Sequence, residues 1–265
     1  MYSQLELPGF SHARRYDAVS STMDVARELL RYEPPHSESW CAVVAAEAQT
    51  AGRGRQGRSW VTTRGAFMAT YLFATDAPVA AFAGYSLAVG VAVSAALEEY
   101  GVRTRLKWPN DIVVIESGGK LRKLGGVLIE VQELGAYRCI LVGLGLNTTQ
   151  PPDDVRDIAV GMQELGAPNV SAPDLLEPIG IALRVSHHRF VHEGGFKASR
   201  DAWAQRSCFV PHKTTVELDV GEGQRVTGRF AGVDEMGALV VDVGGRQQTV
   251  LSGHITSFQL GGEQR

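Results

Sequence analysis

The chain has 265 residues, 44% of them hydrophobic, with a formal net charge of −3, enough for one large or two smaller domains with a core. The acidic balance excludes the overall basic surface of a sequence-independent nucleic-acid binder, so any anion site must be local. Three scattered cysteines without a C-x-x-C pair exclude a disulfide framework or zinc cluster and point to a reducing cytoplasm.

The N-terminus, MYSQLELPGF, lacks the basic start and apolar run of a signal peptide. Ser20, Ser21 and Thr22 are cap candidates for a helix over Met23 to Leu30, and a polar Pro-Pro loop follows. Cys41 to Gln49 reads as a strand, Ala51 to Trp60 as a glycine-arginine loop, and Ala66 to Thr75 as another strand. The 21 residues from Ala77 to Leu97 carry no charge and could span a bilayer. Their Ala, Gly, Ser and Val are weak drivers of insertion, so the run reads as a buried helix opened by Asp76 and Pro78 and closed by Glu98, Glu99 and Gly101. A strand then breaks at Pro109 and resumes, and Lys123 to Val131 and Cys139 to Thr148 supply two more. Pro151 to Asn169 is a surface connection with a short helical piece. Pro173 to about Arg206 is helical, with Leu175, Leu176, Ile179, Leu183, Phe190 and Trp203 as its apolar positions. After it TTVELDV, RVTGRFAGVD, ALVVDV and QTVLSGHI, separated by glycine-rich turns, predict a small β-barrel. The boundary falls near Pro211, giving domains 1–210 and 211–265.

The loop AGRGRQGRSW has G-x-G-x-x-G spacing, but a dinucleotide site needs that turn to open a helix, and Trp60, Val61, Thr62 and Thr63 favour strand or loop. No P-loop occurs. No Asp or Glu lies between Glu47 and Asp76, so Arg53, Arg55, Arg58 and Arg64 have no local carboxylate partner and are free for an anion. Guanidinium groups bind phosphate and carboxylate in bidentate fashion, and glycines let backbone N–H groups approach the same oxygens. A solvated basic loop fits these residues equally well until other motifs are added. LKWPND places Lys107, Asn110 and Asp111 around a strand end, where Asp111 could hold Mg²⁺, although a structural turn fits that motif as well. In RKLGGVLIE a lysine leads into paired glycines, and VGLGLNT makes a strand that a flat ligand can approach. His187 and His188 are adjacent and cannot share a helix face, and there is no G-x-S-x-G elbow. The implied chemistry is positive charge held around phosphate and carboxylate groups, which suits nucleotidyl transfer to an acid.

Taken together, S-S-T-M (Ser20 to Met23), Q-T-A-G-R-G-R-Q-G-R-S-W (Gln49 to Trp60), K-W-P-N-D (Lys107 to Asp111), K-L-G-G-V-L-I-E (Lys123 to Glu130) and G-L-G-L-N (Gly143 to Asn147) resemble biotin protein ligases. The match continues through E-G-G-F…W and G-x-x-x-G-V-D-E-M-G-A-L to about Phe258. The resemblance implies an α+β fold: a seven-stranded mixed sheet with flanking helices, class II synthetase-like, followed by a C-terminal SH3-like β-barrel. It implies that biotin and MgATP give biotinyl-5′-AMP and pyrophosphate, and that the adenylate then acylates a lysine of a biotin carboxyl carrier protein or domain of a biotin-dependent carboxylase.

By motif, Ser21, Thr22, Met23, Gln49, Gly54, Gly125 and Gly126 would surround biotin. Arg53 would meet its carboxylate and the α-phosphate, Arg55 the adenylate and pyrophosphate, and Lys123 the reacting carboxylate. Lys107, Asn110 and Asp111 would arrange phosphates, with Asp111 on Mg²⁺. Trp60 would lie against the biotin tail or adenine, and Asn147 would read the adenine edge. Arg53, Lys123 and Asp111 are the catalytic candidates. Many members have Asn where this chain has Met23. Only about twenty residues precede the Ser-Thr motif, leaving no room for the winged helix of bifunctional members, so a ligase without operator binding or membrane contact is expected. The resemblance also allows a homodimer through sheet edges. A lipoate or octanoate ligase or transferase is the alternative, against which the G-R-G-R-x-G loop argues. A non-catalytic biotin-binding module is a third reading, against which Arg53, Lys123 and Asp111 argue.

Overall fold

Two-sided burial organises the molecule. In the computed structural model, which describes residues 2–61 and 63–259, β3 (Cys41–Ala46) and β4 (Phe67–Thr75) are buried at every position. They lie with β8 (Tyr137–Leu146) in the middle of an eight-stranded sheet. Side chains alternate between faces along a strand, so Val43, Tyr71, Phe73, Ile140 and Val142 enter one core, and Ala42, Val44, Leu72, Ala74 and Leu141 enter another. The outer strands are β1 (Tyr2–Gln4) and β2 (His12–Tyr16) on one side, and β7 (Leu121–Leu134), β6 (Asp111–Ile115) and β5 (Arg105–Lys107) on the other. The order is β1-β2-β3-β4-β8-β7-β6-β5. Among the strands of the described residues only β2 and β3 pair with each other in parallel, joined by α1 (Thr22–Tyr32), as a parallel pair requires a crossover. The strand count exceeds the implied seven by one.

Helix α1 covers the smaller core with Met23, Ala26, Leu29 and Leu30, while α2 (Tyr85–Glu98), α3 (Ala172–His192) and α4 (Arg200–Arg206) pack against the larger one. The charge-free run expected to form a helix from Ala77 does so only from Tyr85, after a short 3-10 turn over Val79–Phe82. Gly84 interrupts it with φ of 75°, and a Cβ there would sit 2.8 Å from the Phe196 side chain. No helix among the described residues is long and apolar enough to cross a membrane.

The expected single helical stretch from Pro173 is likewise two helices, separated at Gly194 and Gly195, both at positive φ. Within α3, Pro178 removes the N–H that would bond the Asp174 carbonyl, and the Tyr100 hydroxyl donates to that oxygen at 3.0 Å instead.

The C-terminal SH3-like unit is an antiparallel sheet ordered β12-β11-β10-β9-β13. Its strands are β9 (Thr215–Gly221), β10 (Gln224–Val233), β11 (Leu239–Val243), β12 (Arg246–Val250) and β13 (His254–Gln259). QTVLSGHI, expected as one strand, breaks after Val250, so the chain leaves β11 and rejoins beside β9. Its core is continuous with that of the large sheet, and Trp108 Nε1 donates to the Gly237 carbonyl at 3.0 Å.

His187 in α3 is buried against Phe73, with ring centroids 4.9 Å apart, and its Nδ1 lies 2.8 Å from the Tyr85 hydroxyl. Desolvation above all lowers its pKa from 6.5 to about 4. The folded value lies below the unfolded one, so the unfolded chain binds the proton more readily. The resulting stability is complete above pH 6.5 and is lost as pH falls toward 4, by roughly 2–3 kcal/mol. Urea unfolding at pH 7.5 and 4.5 should therefore show a drop larger by about that amount in the wild type than in His187→Gln.

Candidate active site

Along β8, Cys139 and Leu141 face α1 and fill the small core, but the next two residues on that side are Gly143 and Gly145. The floor therefore drops beyond the N-terminus of α1. The cross-strand partners continue the surface: Gly126 of β7 lies opposite Gly145 and Asp111 of β6 opposite Gly126, while Leu128 and Thr70 flank Gly143. A cleft opens over these residues.

One wall is the start of α1. The Ser21 hydroxyl accepts from the Met23 N–H at 3.3 Å as the helix cap. Gln49 Oε1 receives both the N–H of Thr22, at 2.7 Å, and its hydroxyl, at 3.2 Å, while the buried Thr70 hydroxyl donates to Thr22 at 2.9 Å. The Met23 side chain covers Gly143, where a Cβ would come within 2.7 Å of its terminal methyl. Met23 is thus an apolar wall.

The roof is the arginine loop. Its base is tied beside the cap, with the Ala51 N–H donating to the Ser20 carbonyl at 2.8 Å. Arg53 bridges Ser59, the Gly54 N–H donates to the Arg58 carbonyl at 2.7 Å, and Gln56 and Gly57 turn the tip with φ of 55° and 72°. Among the described residues no helix follows before β4, in agreement with the rejection of a dinucleotide motif. Trp60 lies in the cleft against Gly145, where a Cβ would be 2.6 Å from the indole. Its buried Nε1–H has no hydrogen-bond partner among the described residues, a cost of about 1–3 kcal/mol. With Trp60 seated there the cavity volume is about 160 Å³, below the roughly 300–1,000 Å³ of a small-molecule site.

On the far wall, Lys123 Nζ pairs with Asp111 Oδ1 at 2.5 Å and lies 5.2 Å from the Trp60 ring centre. A bulge opposite Ile112 and Val113 lets β7 present Lys123 here while Leu124 enters the core. Arg55 donates to Asn110 Oδ1 at 3.4 Å, and Asn110 Nδ2 donates to the Val127 carbonyl at 2.8 Å. Burial lowers the Arg55 pKa, Asp111 raises it, and Arg58 lowers it.

Of the residues singled out in the sequence, Ser21, Thr22, Met23, Gln49, Arg53, Gly54, Arg55, Trp60, Lys107, Asn110, Asp111, Lys123 and Gly126 line this cleft. Gly125 does not. Alternation sends it to the opposite face, where a Cβ would meet Leu146 at 2.4 Å. Asn147 also lies outside; it is buried, donating through Nδ2 to the Lys123 carbonyl at 3.3 Å. Two expectations about charge are corrected: Arg53 pairs with Asp24 of α1, and Arg64 reaches Glu47 at 3.7 Å. Asp24 also accepts from Arg27 at 2.7 Å, and Arg27 bonds Glu130. These partners are distant in sequence or outside the charge-free window, so local spacing did not reveal them. Thr70 and His254 also line the cleft and carried no motif signal, one being a strand threonine and the other a solitary histidine in a β unit.

Residues 16–147 match the model of the Biotin/lipoate A/B protein ligase family, and residues 215–256 match the Biotin protein ligase C terminal domain. A Mycobacterium tuberculosis protein named Biotin--[acetyl-CoA-carboxylase] ligase is 34% identical over 253 residues, covering 93% of this chain and 90% of that protein. The chain belongs to the biotin protein ligase family. The Bacillus subtilis Bifunctional ligase/repressor BirA is 28% identical over 87% of this chain and 69% of its own length. Among solved structures, the Aquifex aeolicus biotin protein ligase in complex with biotin and ATP superposes with a TM-score of 0.73 at 27% identity, covering 95% of this chain and 100% of that one. The cleft described above is therefore the candidate active site of a ligase fold.

In this resting arrangement Asp24 competes for Arg53. A half-exposed pair of this kind contributes about 0.5–1 kcal/mol, so Asp24→Asn should tighten biotin binding about two- to fivefold in calorimetry. An unchanged Kd would show that Arg53 is not held back by Asp24.

Proposed function

We propose that this chain adenylates biotin with MgATP and transfers the biotinyl group to a lysine of a biotin carboxyl carrier domain. The observation that carries the reading is the joining, in one glycine-floored cleft, of a polar Ser-Thr-Gln cradle with a cluster of cations around Asp111. Family membership supplies the chemistry to which those two halves correspond.

In the first step a biotin carboxylate oxygen attacks the α-phosphorus of ATP, the bond to the β-phosphate oxygen breaks, and pyrophosphate leaves. Ser21, Thr22 and Gln49 hold the head group, with Met23 and the backbone of Gly126 and Gly54 shaping its surroundings. Arg53 meets the carboxylate and α-phosphate, and Arg55 and Lys107 the departing phosphates. Lys123 stabilises the charge that grows on the pentavalent phosphorus, a contribution made only when that charge develops. Trp60, whose N–H has no partner among the described residues, would cover the biotin tail or adenine. Asn147, outside the cleft, supports the Lys123 backbone from behind.

The donors near the phosphates fit a nucleotide-borne Mg²⁺: Asp111 gives one carboxylate, with the Asn110 amide adjacent, and such ions take one or two carboxylates plus substrate oxygens. When bound, the ion offsets phosphate charge. Asp111 would hold the ion, and a carboxylate so engaged would leave Lys123, its partner in this structure, to the reacting oxygens.

In the second step the amine of the carrier lysine attacks the acyl carbon, the anhydride C–O bond breaks, and AMP leaves with its electron pair. The client is a biotin-dependent carboxylase, the acetyl-CoA carboxylase class being the one named for the mycobacterial relative. We further propose that the chain works in the cytoplasm without binding nucleic acid, which its net charge of −3 supports, and that a homodimer would form through sheet edges. The division into a catalytic domain of 1–210 and a barrel domain of 211–265 is proposed on the same footing.

ATP–pyrophosphate exchange is the direct test. Exchange should depend on biotin and not on lipoate or octanoate, and exchange with lipoate instead would move the chain to the alternative branch of the family. Lys123→Ala should lower exchange by about 10²–10³-fold with an unchanged circular dichroism spectrum; full exchange in that variant would remove Lys123 from the reaction.

A further inference from the structure

The C-terminal sheet reaches the cleft at one place, the start of β13, where Gly253 and His254 join its lining. Arg58 Nη1 lies 3.2 Å from His254 Nε2. A guanidinium has no acceptor, so Arg58 donates and the imidazole accepts, which requires a neutral ring carrying its proton on Nδ1. Burial pushes the His254 pKa down, Arg58 and Lys107 push it further, Asp111 opposes, and Lys123 adds to the lowering, which keeps the ring neutral at neutral pH. The backbone here is constrained, because a Cβ on Gly253 would lie 2.8 Å from the Asp219 carbonyl. Four residues further on, Phe258 places its ring 5.8 Å from Lys107 Nζ. One strand of the C-terminal sheet thus touches a cation on each side of the cleft.

The loop needs such an anchor. Arg58 is exposed, its carbonyl closes the turn through the Gly54 N–H, and its charge opposes that of Arg55. We propose that His254 is a positioning residue of the ligase reaction: by accepting from Arg58 it holds the tip of the arginine loop over the phosphate side of the cleft, so that the C-terminal sheet takes part in nucleotide use. The proposal rests on the adenylation reading above. His254 contacts no reacting atom and acts through Arg58.

The test is biotin-dependent ATP–pyrophosphate exchange with His254→Ala and His254→Gln, each in the wild-type and Arg58→Ala backgrounds. A lost hydrogen bond to a charged group predicts a KM for ATP raised about tenfold in His254→Ala, with KM for biotin within about twofold and melting temperature within about 2 °C. Gln offers an acceptor of similar reach and should restore KM to within about threefold. In the Arg58→Ala background His254→Ala should add less than about twofold, since the partner is already gone. Equal losses in both backgrounds, no rescue by Gln, or a loss that tracks melting temperature would each overturn the role. Exchange that His254→Ala leaves untouched overturns this proposal alone, whereas no exchange by the wild-type chain with any acid overturns the adenylation reading and this proposal with it.

Discussion

Side-chain alternation along β8 is the constraint on which the site depends. On the face that carries α1, the strand places Cys139 and Leu141 under the helix and Gly143 and Gly145 beyond it. Larger side chains at the glycines would collide with Met23 and Trp60. The same two-residue period puts Gly126 and Asp111 in line across β7 and β6. A floor without side chains lets a ligand or an indole lie directly on a hydrogen-bonded sheet, which is rigid because its opposite face is packed against α2 and α3. Recognition elements are thereby carried by strands and a capped helix, and the phosphate-handling cations by a loop and strand ends.

Two of the cations in the cleft are paired with carboxylates. Lys123 faces Asp111, and Arg53 faces Asp24, which also holds Arg27. Each carboxylate lowers the cost of gathering cations in a partly desolvated space, and each competes with the anionic substrate for the same cation. Arg55 shows the limit of this arrangement, since burial and Arg58 lower its pKa while only Asp111 raises it.

The legible parts of the sequence were those whose signal is local. Ser21 before an amphipathic run marked the helix cap, the glycines of GLGLN marked close approach, and the break at Pro109 marked the strand end that holds Asn110 and Asp111. Long-range partners were not legible: Asp24 meets Arg53 across 29 residues, and Glu47 meets Arg64. Parity was also hidden, because assigning Gly126 to the cleft and Gly125 to the far face requires the register of β7 against β8. Neither β1 nor β2 has an apolar run, and both were missed. Gly84 delayed the start of α2 to Tyr85 inside a segment whose composition is uniform, where the close approach of Phe196 and the Met236 carbonyl explains the glycine.

The transfer half of the proposed reaction has a further constraint in the thiols. Cys41, Cys139 and Cys208 are all buried and none lines the cleft. Burial is the leading cause that pushes the thiols of Cys139 and Cys208 up to about 12, and it raises Cys41 as well. A protonated, inaccessible thiol is not a nucleophile, so none of the three cysteines offers a thioester intermediate between the anhydride and the carrier amine. That amine must arrive unprotonated. The cluster of Arg53, Arg55, Lys107 and Lys123 around the anhydride disfavours another ammonium charge nearby. The cations that draw electron density from the adenylate phosphate thereby also favour the neutral form of the incoming lysine, so one electrostatic arrangement serves both halves of the reaction.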